Sequence, residues 1–274
     1  MANKAREIAT TKSRAGWRVV WPRRQPIFWA LLSSVLLIAA FPNGNLWPLA
    51  WVALVPLLIA TGREKHALTA FLLGWWAGTV FFLGSCYWLT YAMIRYGGIP
   101  APVAYAALLP PTLVVGLFPG LACAGLARLA RRWGDAALFA FPLLWTAGEW
   151  LRLQTTGQLW NALGYSQAFV PSLIQPAAWG GVYAVSSLIV TVNVAIAYAW
   201  RGASVRSGTL SACVAGLVAL LLGLSSWHGA TVNTDSAPAA LVVDKTMAVV
   251  PLGKGEEPMA REARERFCRT VSAT

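Results

Sequence analysis

The sequence alternates long stretches that lack Asp, Glu, Lys and Arg with short clusters of basic residues. Six uncharged stretches lie between Gln25 and Asp235: 26–62, 66–94, 96–127, 136–148, 153–200 and 207–234. About 20 apolar residues of helix cross a hydrocarbon core roughly 30 Å thick, and most of these stretches are long enough to do so. The pattern therefore predicts a chain that folds within a lipid bilayer, and its first stretch has room for two short crossings.

Composition excludes a water-soluble fold. Only 12% of the residues are charged and 57% are hydrophobic, whereas a soluble domain carries about 25% charged residues. The alternating ten-residue patterns of outer-membrane barrels are absent from the sequence, and lipid offers no partner to unpaired backbone groups. The predicted fold class is an all-α polytopic membrane bundle of seven transmembrane helices. The spans are placed at about 27–41, 47–61, 67–92, 101–127, 136–151, 174–200 and 208–227.

Basic residues are distributed unequally between the two sides of the predicted bundle. Fourteen Lys and Arg fall in the N-terminus and in the loops after the second, fourth and sixth spans, and two fall in the loops opposite. Cytoplasmic loops carry such an excess, so we expect a cytoplasmic N-terminus and an extracytoplasmic segment 228–274. This arrangement also accounts for the net charge of +12, and no nucleic-acid partner is expected.

The chain divides into four parts by composition. Residues 1–25 form a basic cytoplasmic N-terminus, 26–228 the transmembrane helical domain, and 229–239 a small polar linker. Residues 240–274 change character, with two short apolar runs typical of strands and a charged stretch at helical spacing. Because one strand and one amphipathic helix cannot bury their apolar faces alone, this segment indicates the start of a further α/β domain.

Glu149 is the only acid inside a predicted span. Ionisable residues within a membrane are expensive to bury and usually mark a functional site. However, Glu149 lies near the end of its span, and Arg152 follows three residues later. An interfacial ion pair that anchors the helix end is therefore an equally good interpretation, and position alone leaves both open.

The segment 158–167 mixes aromatic rings with amide and hydroxyl groups between the fifth and sixth spans. An interfacial aromatic belt explains the rings but requires fewer hydrogen-bonding groups than this segment has. Such groups are suited to bind a lipid head group or a peptide amide. The predicted substrate-binding residues are Glu149, Arg152, Trp160, Asn161, Tyr165 and Gln167.

Complete catalytic motifs are absent from the sequence. It contains no HExxH, no GxSxG and no phosphate-binding glycine loop. The four cysteines show no CxxC spacing, and three of them lie in apolar spans, where a cysteine is expected to act as a small hydrophobe. We therefore predict no catalytic residues, no metal site and no cofactor in this chain.

Four groups of residues carry a resemblance to a known family and occur in its order. They are Phe41-Pro42 with Leu46-Trp47-Pro48-Leu49-Ala50-Trp51, Cys86-Tyr87-Trp88-Leu89 before Gly97-Gly98-Ile99-Pro100, Leu144-Trp145 before Glu149-Trp150-Leu151-Arg152, and Trp160-Asn161 before Gly164-Tyr165-Ser166-Gln167. Over roughly residues 26–270 the sequence resembles apolipoprotein N-acyltransferase, a bacterial inner-membrane enzyme. Two departures are Leu153, where the family usually has Gly, and Gln158-Leu159, where it usually has Phe-Pro.

The resemblance implies a membrane domain that carries a nitrilase-like domain on its outer face. It also implies that a phospholipid donates an acyl chain to a cysteine, and that the thioester then acylates the diacylglyceryl-cysteine at the N-terminus of an apolipoprotein. A Glu-Lys-Cys triad does this chemistry in the family. Residues 240–274 resemble the first strand and helix of the nitrilase-like domain, and Thr274 precedes the position of the first triad member. We therefore expect a truncated enzyme that is inactive alone.

Two other functions are compatible with the sequence. The chain could be a membrane scaffold subunit that docks a separately encoded nitrilase-like chain through the exposed strand at 246–252. A small transporter is the other alternative, but transporters commonly show internal repeats and intramembrane charge pairs, and the sequence shows neither clearly.

Overall fold

A computed structural model of the chain describes residues 24–41, 44–62, 64 and 66–202, with six isolated positions between 209 and 223. These residues are mostly helical and include no β-strand. The α-helices are α1 (Arg24–Ala40), α2 (Ala50–Ala53), α3 (Val55–Thr61), α4 (Ala67–Ser85), α5 (Trp88–Arg95), α6 (Ala101–Trp133), α7 (Phe141–Thr156), α8 (Pro171–Ile174) and α9 (Ala177–Arg201). Three 3-10 turns, Trp47–Leu49, Gly134–Ala140 and Leu163–Gln167, connect them.

Among the described residues, three helical stretches are long and apolar enough to cross a membrane: Ala67–Ser85, Ala101–Thr156 and Ala177–Arg201. Two shorter apolar helical stretches are Gln25–Ala40 and Trp47–Thr61. The Ala101–Thr156 stretch contains α6 and α7, which run antiparallel, because Gly125 faces Leu144 and Gly148 faces Phe118. The prediction of a mostly helical fold with long apolar helices is therefore confirmed, whereas the count of seven spans stays a prediction. Apart from the isolated positions, the seventh predicted span (208–227), the linker and the segment 240–274 lie outside the described residues.

The second predicted span is an interrupted helix. Its two halves, α2 and α3, are separated at Leu54, which is fully buried. Pro56 lies in the first turn of α3, and because proline has no N–H it cannot donate to the hydrogen-bond ladder of α2. The interruption leaves buried backbone groups that need partners from outside the helix.

Asn193 of α9 supplies those partners. Its fully buried side-chain oxygen accepts the N–H of Leu54 at 2.8 Å, and its Nδ2 donates to the carbonyl of Ala50 at 2.9 Å. In an unbroken helix Leu54 would donate directly to Ala50, and the carboxamide contacts both members of that pair. Ser33 of α1 accepts the N–H of Leu57 at 3.3 Å on another side of the break. The interrupted helix is thus held by polar groups of two neighbours.

Helices α4 and α6 pack through two pairs of glycines, each pair four residues apart: Gly74 and Gly78 on α4, Gly116 and Gly120 on α6. A Cβ atom on Gly78 would lie 3.2 Å from the Cα of Gly116, and one on Gly74 would lie 2.7 Å from the carbonyl oxygen of Pro119. Small residues at such spacing let two membrane helices bring their backbones together. The glycines therefore set the separation of α4 and α6, which form two walls of the cavity described below.

We expect Gly74→Ala to destabilise the protein and Gly148→Ala to leave its stability unchanged or raise it. Both changes favour the helix by about 1 kcal/mol. A Cβ at Gly74 meets backbone at 2.7 Å, whereas a Cβ at Gly148 has its nearest neighbour at 3.6 Å. Overpacking costs about 1–3 kcal/mol, so the two variants should differ in free energy of unfolding. Reversible unfolding of the purified chain in mixed SDS and mild-detergent micelles measures this, and equal stabilities would contradict the close packing.

The two ends of the bundle differ in their polar contacts. At one end, named here the Asp135 end, Arg201 pairs with Asp135 at 2.5 Å and donates to the carbonyl of Gly62 at 3.0 Å. This cation joins the end of α9 to the α6–α7 turn and to the chain just after α3. Helix α7 leads from there to the other end, named the loop end, where the loop 157–170 lies.

Candidate functional site

The loop end brings together the last turns of α7 and the segment that follows them. Helix α7 ends at Thr156, and Gly157 adopts a left-handed conformation (φ 67°) and donates its N–H to the carbonyl of Leu153 at 2.9 Å, a common way to terminate a helix. The last two turns of α7 carry Glu149 and Arg152. The loop carries Trp160, Asn161, Tyr165 and Gln167.

Glu149 anchors the loop to α7. Its carboxylate is buried, and its Oε1 atom accepts the backbone N–H of Leu163 at 2.8 Å and the indole N–H of Trp145 at 3.0 Å. The other oxygen, Oε2, is buried without a hydrogen-bond partner in the described part of the chain. Glu149 and Arg152 do not approach within 4.0 Å of each other as an ion pair. The two side chains therefore form no direct ion pair, because the carboxylate binds the backbone of the loop, and they interact through charge at longer range.

Arg152 is buried with only 3% of its surface exposed. Its guanidinium carbon lies 4.8 Å from the centroid of the Phe82 ring, which is a cation–π contact. Within the described residues, no hydrogen bond or ion pair joins this guanidinium to another side chain or to the backbone. Arg152 is thus a buried cation that contacts the Phe82 ring and interacts with the Glu149 carboxylate through charge at longer range.

Asn161 connects the loop to the end of α4. It occupies the left-handed region (φ 54°), which Asn tolerates better than most residues. Its Nδ2 donates to the hydroxyl oxygen of Ser85 at 2.7 Å and to the thiol sulfur of Cys86 at 3.2 Å. Two hydrogen bonds to a neighbouring helix fix the turn that presents Trp160.

Trp160 and Tyr165 are the exposed members of the predicted set, at 45% and 44%. The Trp160 ring packs edge-on against Trp88 with their centroids 5.5 Å apart. Both residues line an open groove of about 470 Å³ that Phe41 and Phe169 also border. Aromatic rings with one polar atom suit the boundary between lipid and water, so this groove is the accessible part of the loop end.

Gln167 lies apart from the cavity and the groove. It is fully buried, its Nε2 donates to the carbonyl of Trp47 at 3.2 Å, and its Oε1 accepts the indole N–H of Trp51 at 3.3 Å. These contacts attach the loop to the start of the interrupted helix. Its position favours a structural anchor over the predicted contact with substrate.

A cavity of about 360 Å³ lies between α4, α6 and α7 at the loop end. Its walls are mostly apolar, and Arg152 is the single charged side chain among the described residues that line it. Helix α6 contributes Pro111, and because proline lacks an N–H, the carbonyl four residues earlier has no normal helical donor. The lining residues are Phe82, Cys86, Leu89, Leu108, Pro111, Thr112, Val114, Val115, Arg152, Thr156, Gln158 and Trp160.

Sequence reasoning did not identify Phe82, Ser85 or Cys86 as members of this site. The assignment of Cys86 to the hydrophobic interior agrees with its burial, but the thiol also lines the cavity and accepts from Asn161. Phe82 and Cys86 are four residues apart and so share a helical face. That four-residue spacing, followed by the aromatic residues that begin at Tyr87, is the sequence feature that could have predicted this wall of the cavity.

This geometry defines a helical membrane domain with an apolar cavity, one buried cation and an aromatic, amide-rich loop at one end. Residues 33–195 match the family model of the apolipoprotein N-acyltransferase N-terminal domain. The chain therefore belongs to the apolipoprotein N-acyltransferase family, and the resemblance inferred from the four motifs is confirmed.

Several apolipoprotein N-acyltransferases are similar to this chain over most of its length. The protein from Geobacter metallireducens is 39% identical over 186 residues, which cover 68% of this chain and 35% of the relative. The protein from Bordetella bronchiseptica is 33% identical over 236 residues, which cover 78% of this chain and 42% of the relative. The protein from Chromobacterium violaceum is 34% identical over 202 residues, which cover 72% of this chain and 37% of the relative. The chain thus spans between about a third and two fifths of the length of these relatives.

Proposed function

We propose that this chain is the membrane part of an apolipoprotein N-acyltransferase. The reaction moves an acyl chain from a phospholipid to the N-terminal diacylglyceryl-cysteine of a bacterial lipoprotein. The observation that carries the proposal is the family match over residues 33–195. The cavity agrees with it chemically, because an apolar wall beside hydrogen-bonding groups suits a ligand with a hydrocarbon chain and a polar head.

The proposed location is the bacterial inner membrane, with seven spans, a cytoplasmic N-terminus and residues 228–274 outside. The excess of Lys and Arg on alternate loops supports this orientation. In such a topology the Asp135 end faces the cytoplasm and the loop end faces outward. Lipid substrates then reach the loop end while their acyl chains stay in the bilayer.

The predicted residues take different parts in this function. Trp160 and Tyr165 border the open groove and contact lipid or lipoprotein head groups. Glu149 and Asn161 hold the loop in place through the contacts described above. The thioester chemistry belongs to a nitrilase-like domain, whose beginning residues 240–274 resemble in sequence, and no cofactor is required. The membrane part orients both lipids toward that domain.

A hybrid enzyme tests the proposal. Residues 24–202 of this chain replace the segment that they match in the Geobacter metallireducens relative, and the hybrid is expressed in a bacterium depleted of its own N-acyltransferase. We expect growth and triacylated lipoproteins, measured by mass spectrometry. A hybrid that is inserted at normal levels, resists protease like its parent and still fails to acylate would contradict the proposal.

Within the hybrid, Trp160→Ala should slow acyl transfer about fivefold and Asn161→Ala about thirtyfold, because a lost aromatic contact or hydrogen bond is worth about 1 kcal/mol, Asn161 makes two hydrogen bonds, and 1.4 kcal/mol is tenfold in rate. Leu143→Ala is the control, because this side chain on α7 is 72% exposed and distant from the loop in sequence. Initial rates with a fluorescent lipopeptide measure the effect. Unchanged rates in both loop variants would remove these residues from the site.

A further inference from the structure

Arg152 is buried beside a mostly apolar cavity, and no described acidic side chain lies within ion-pair distance of its guanidinium. The acidic residues described are Glu64, Asp135 and Glu149. Asp135 pairs with Arg201 at the opposite end, and Glu64 follows α3, which leads to that same end. Glu149 directs one oxygen to the loop backbone and lies beyond ion-pair distance, so it acts on Arg152 through charge at longer range and leaves the donors of the guanidinium unbound. A guanidinium in such surroundings is strongly disfavoured unless an anion binds it.

The cavity restricts what that anion can be. A volume of about 360 Å³ with mostly apolar walls falls in the range of pockets that hold small molecules. A free inorganic anion would fill little of this space and would leave water against Phe82, Leu108 and Val115. An amphiphile satisfies both parts of the site, since its charged group meets Arg152 and its hydrocarbon covers the apolar wall.

We propose that Arg152 binds the phosphate of a membrane phospholipid whose acyl chain lies in this cavity. The ligand class rests on the proposed function, which takes a phospholipid as acyl donor; the phosphate contact and the cavity assignment go beyond it. Arg suits this task because its planar fork donates two parallel hydrogen bonds to phosphate oxygens. Contact with the Phe82 ring holds the guanidinium plane in place. Arg152 is thus a specificity-determining residue for ligands with a phosphodiester.

Lipid binding by the purified full chain tests this assignment. Phosphatidylglycerol with oleoyl chains is titrated into the 274-residue chain in detergent, and bound lipid is quantified by native mass spectrometry. Diacylglycerol with the same chains lacks the phosphate, oleate carries a carboxylate instead, and inorganic phosphate lacks the hydrocarbon. We expect tight binding of phosphatidylglycerol, weaker binding of diacylglycerol and oleate, and no competition by inorganic phosphate.

Three variants separate the charge from the apolar wall. Arg152→Gln should weaken phosphatidylglycerol binding at least tenfold and leave diacylglycerol binding unchanged, whereas Arg152→Lys keeps the charge and should lose less. Val115→Trp fills the cavity, keeps Arg152, and should weaken both lipids. Arg95→Gln is the matched control, because Arg95 is an exposed cation at the C-terminal end of α5. Thermal unfolding of each variant verifies that it folds. If Arg152→Gln does not fold, Arg152→Lys and Val115→Trp still decide the test.

Labelling of Cys86 locates the bound lipid. In a chain whose other three cysteines are replaced by Ala, phosphatidylglycerol should slow the reaction of Cys86 with a membrane-permeant maleimide, because this thiol lines the same cavity. Several results would overturn the inference. They are equal lipid affinity in Arg152→Gln and Arg95→Gln, tighter Arg152-dependent binding of oleate than of phosphatidylglycerol, competition by inorganic phosphate, or no protection of Cys86.

The binding assay and the hybrid enzyme distinguish a failure of the phosphate contact from a failure of the proposed function. Acyl transfer by the hybrid together with Arg152-independent lipid binding would refute the phosphate contact and leave the proposed function standing. Arg152-dependent binding in the full chain, with a correctly inserted hybrid that does not acylate, would refute the proposed function and leave a phospholipid site of another purpose.

Discussion

Asn193→Leu should lower the free energy of unfolding by about 2–5 kcal/mol, the sum expected for two buried backbone groups left without partners. Leucine has a similar size but cannot accept from Leu54 or donate to Ala50, the two contacts that the carboxamide makes at 2.8 and 2.9 Å. Both backbone groups lie in the bundle interior, where Leu54 and Ala50 are fully buried. Reversible unfolding of the purified chain in mixed SDS and detergent micelles measures the change.

The control for this prediction is Ile196→Ala, on the same helix but 36% exposed. It truncates its side chain, whereas Asn193→Leu keeps the size of the side chain, and it should still cost less, because no backbone group loses a partner. Wild-type stability of Asn193→Leu would show that the interrupted helix satisfies its own backbone groups. The carboxamide would then be incidental to the fold.

The sequence predicted the helical membrane fold because that fold depends on where charge is absent. The uncharged run 66–94 contains α4, and the run 153–200 contains most of α9. A helix that crosses a bilayer needs about 20 consecutive apolar residues, and such a run can be recognised in a single sequence. The turn after Phe41 and the shortness of the next helix also follow from Pro, Asn and Gly in the sequence.

The partners of buried amides could not be predicted in this way. Asn193 and Leu54 are 139 residues apart, and Gln167 reaches Trp47 across 120 residues. The sequence shows that residue 167 has a polar side chain but not which group it contacts. A glutamine at this position could equally bind substrate or anchor the loop. The six predicted site residues all lie at the loop end, where the structure separates buried anchors such as Gln167 from the exposed Trp160 and Tyr165; their role in binding substrate stays a prediction.

Spacing on a helix was also insufficient for Glu149 and Arg152. Residues three apart on a helix commonly pair, yet here each makes a different contact. The N–H of Leu163 and the indole of Trp145 occupy one carboxylate oxygen of Glu149, and the Phe82 ring contacts Arg152. Donors from a loop 14 residues away compete for the carboxylate, and a helical pattern contains no information about them.

Glu149 therefore has two possible roles that an experiment can separate: acceptor for the loop backbone, or counter-charge for Arg152. Glutamine keeps an oxygen for Leu163 and Trp145 but has no charge, and leucine has neither. If the hydrogen bonds matter most, Glu149→Gln should resemble the wild type while Glu149→Leu loses the loop. If charge matters most, both variants should fail together. The observed distances favour the hydrogen bonds, since Oε1 makes two of them and the ion pair is absent.

We expect Glu149→Leu to destabilise the chain by about 2–5 kcal/mol, because a buried N–H of Leu163 and the Trp145 indole lose their acceptor. In the hybrid enzyme it should reduce acyl transfer at least a hundredfold, since a detached loop displaces both Trp160 and Asn161. Limited chymotrypsin digestion reports the loop directly, as its sites there are Trp160, Tyr165 and Phe169. Cleavage should accelerate in Glu149→Leu and stay slow in Glu149→Gln and in the Leu143→Ala control. Rapid cleavage in Glu149→Gln would instead assign the role to the charge, and Arg152 would then depend on Glu149 despite the distance between them.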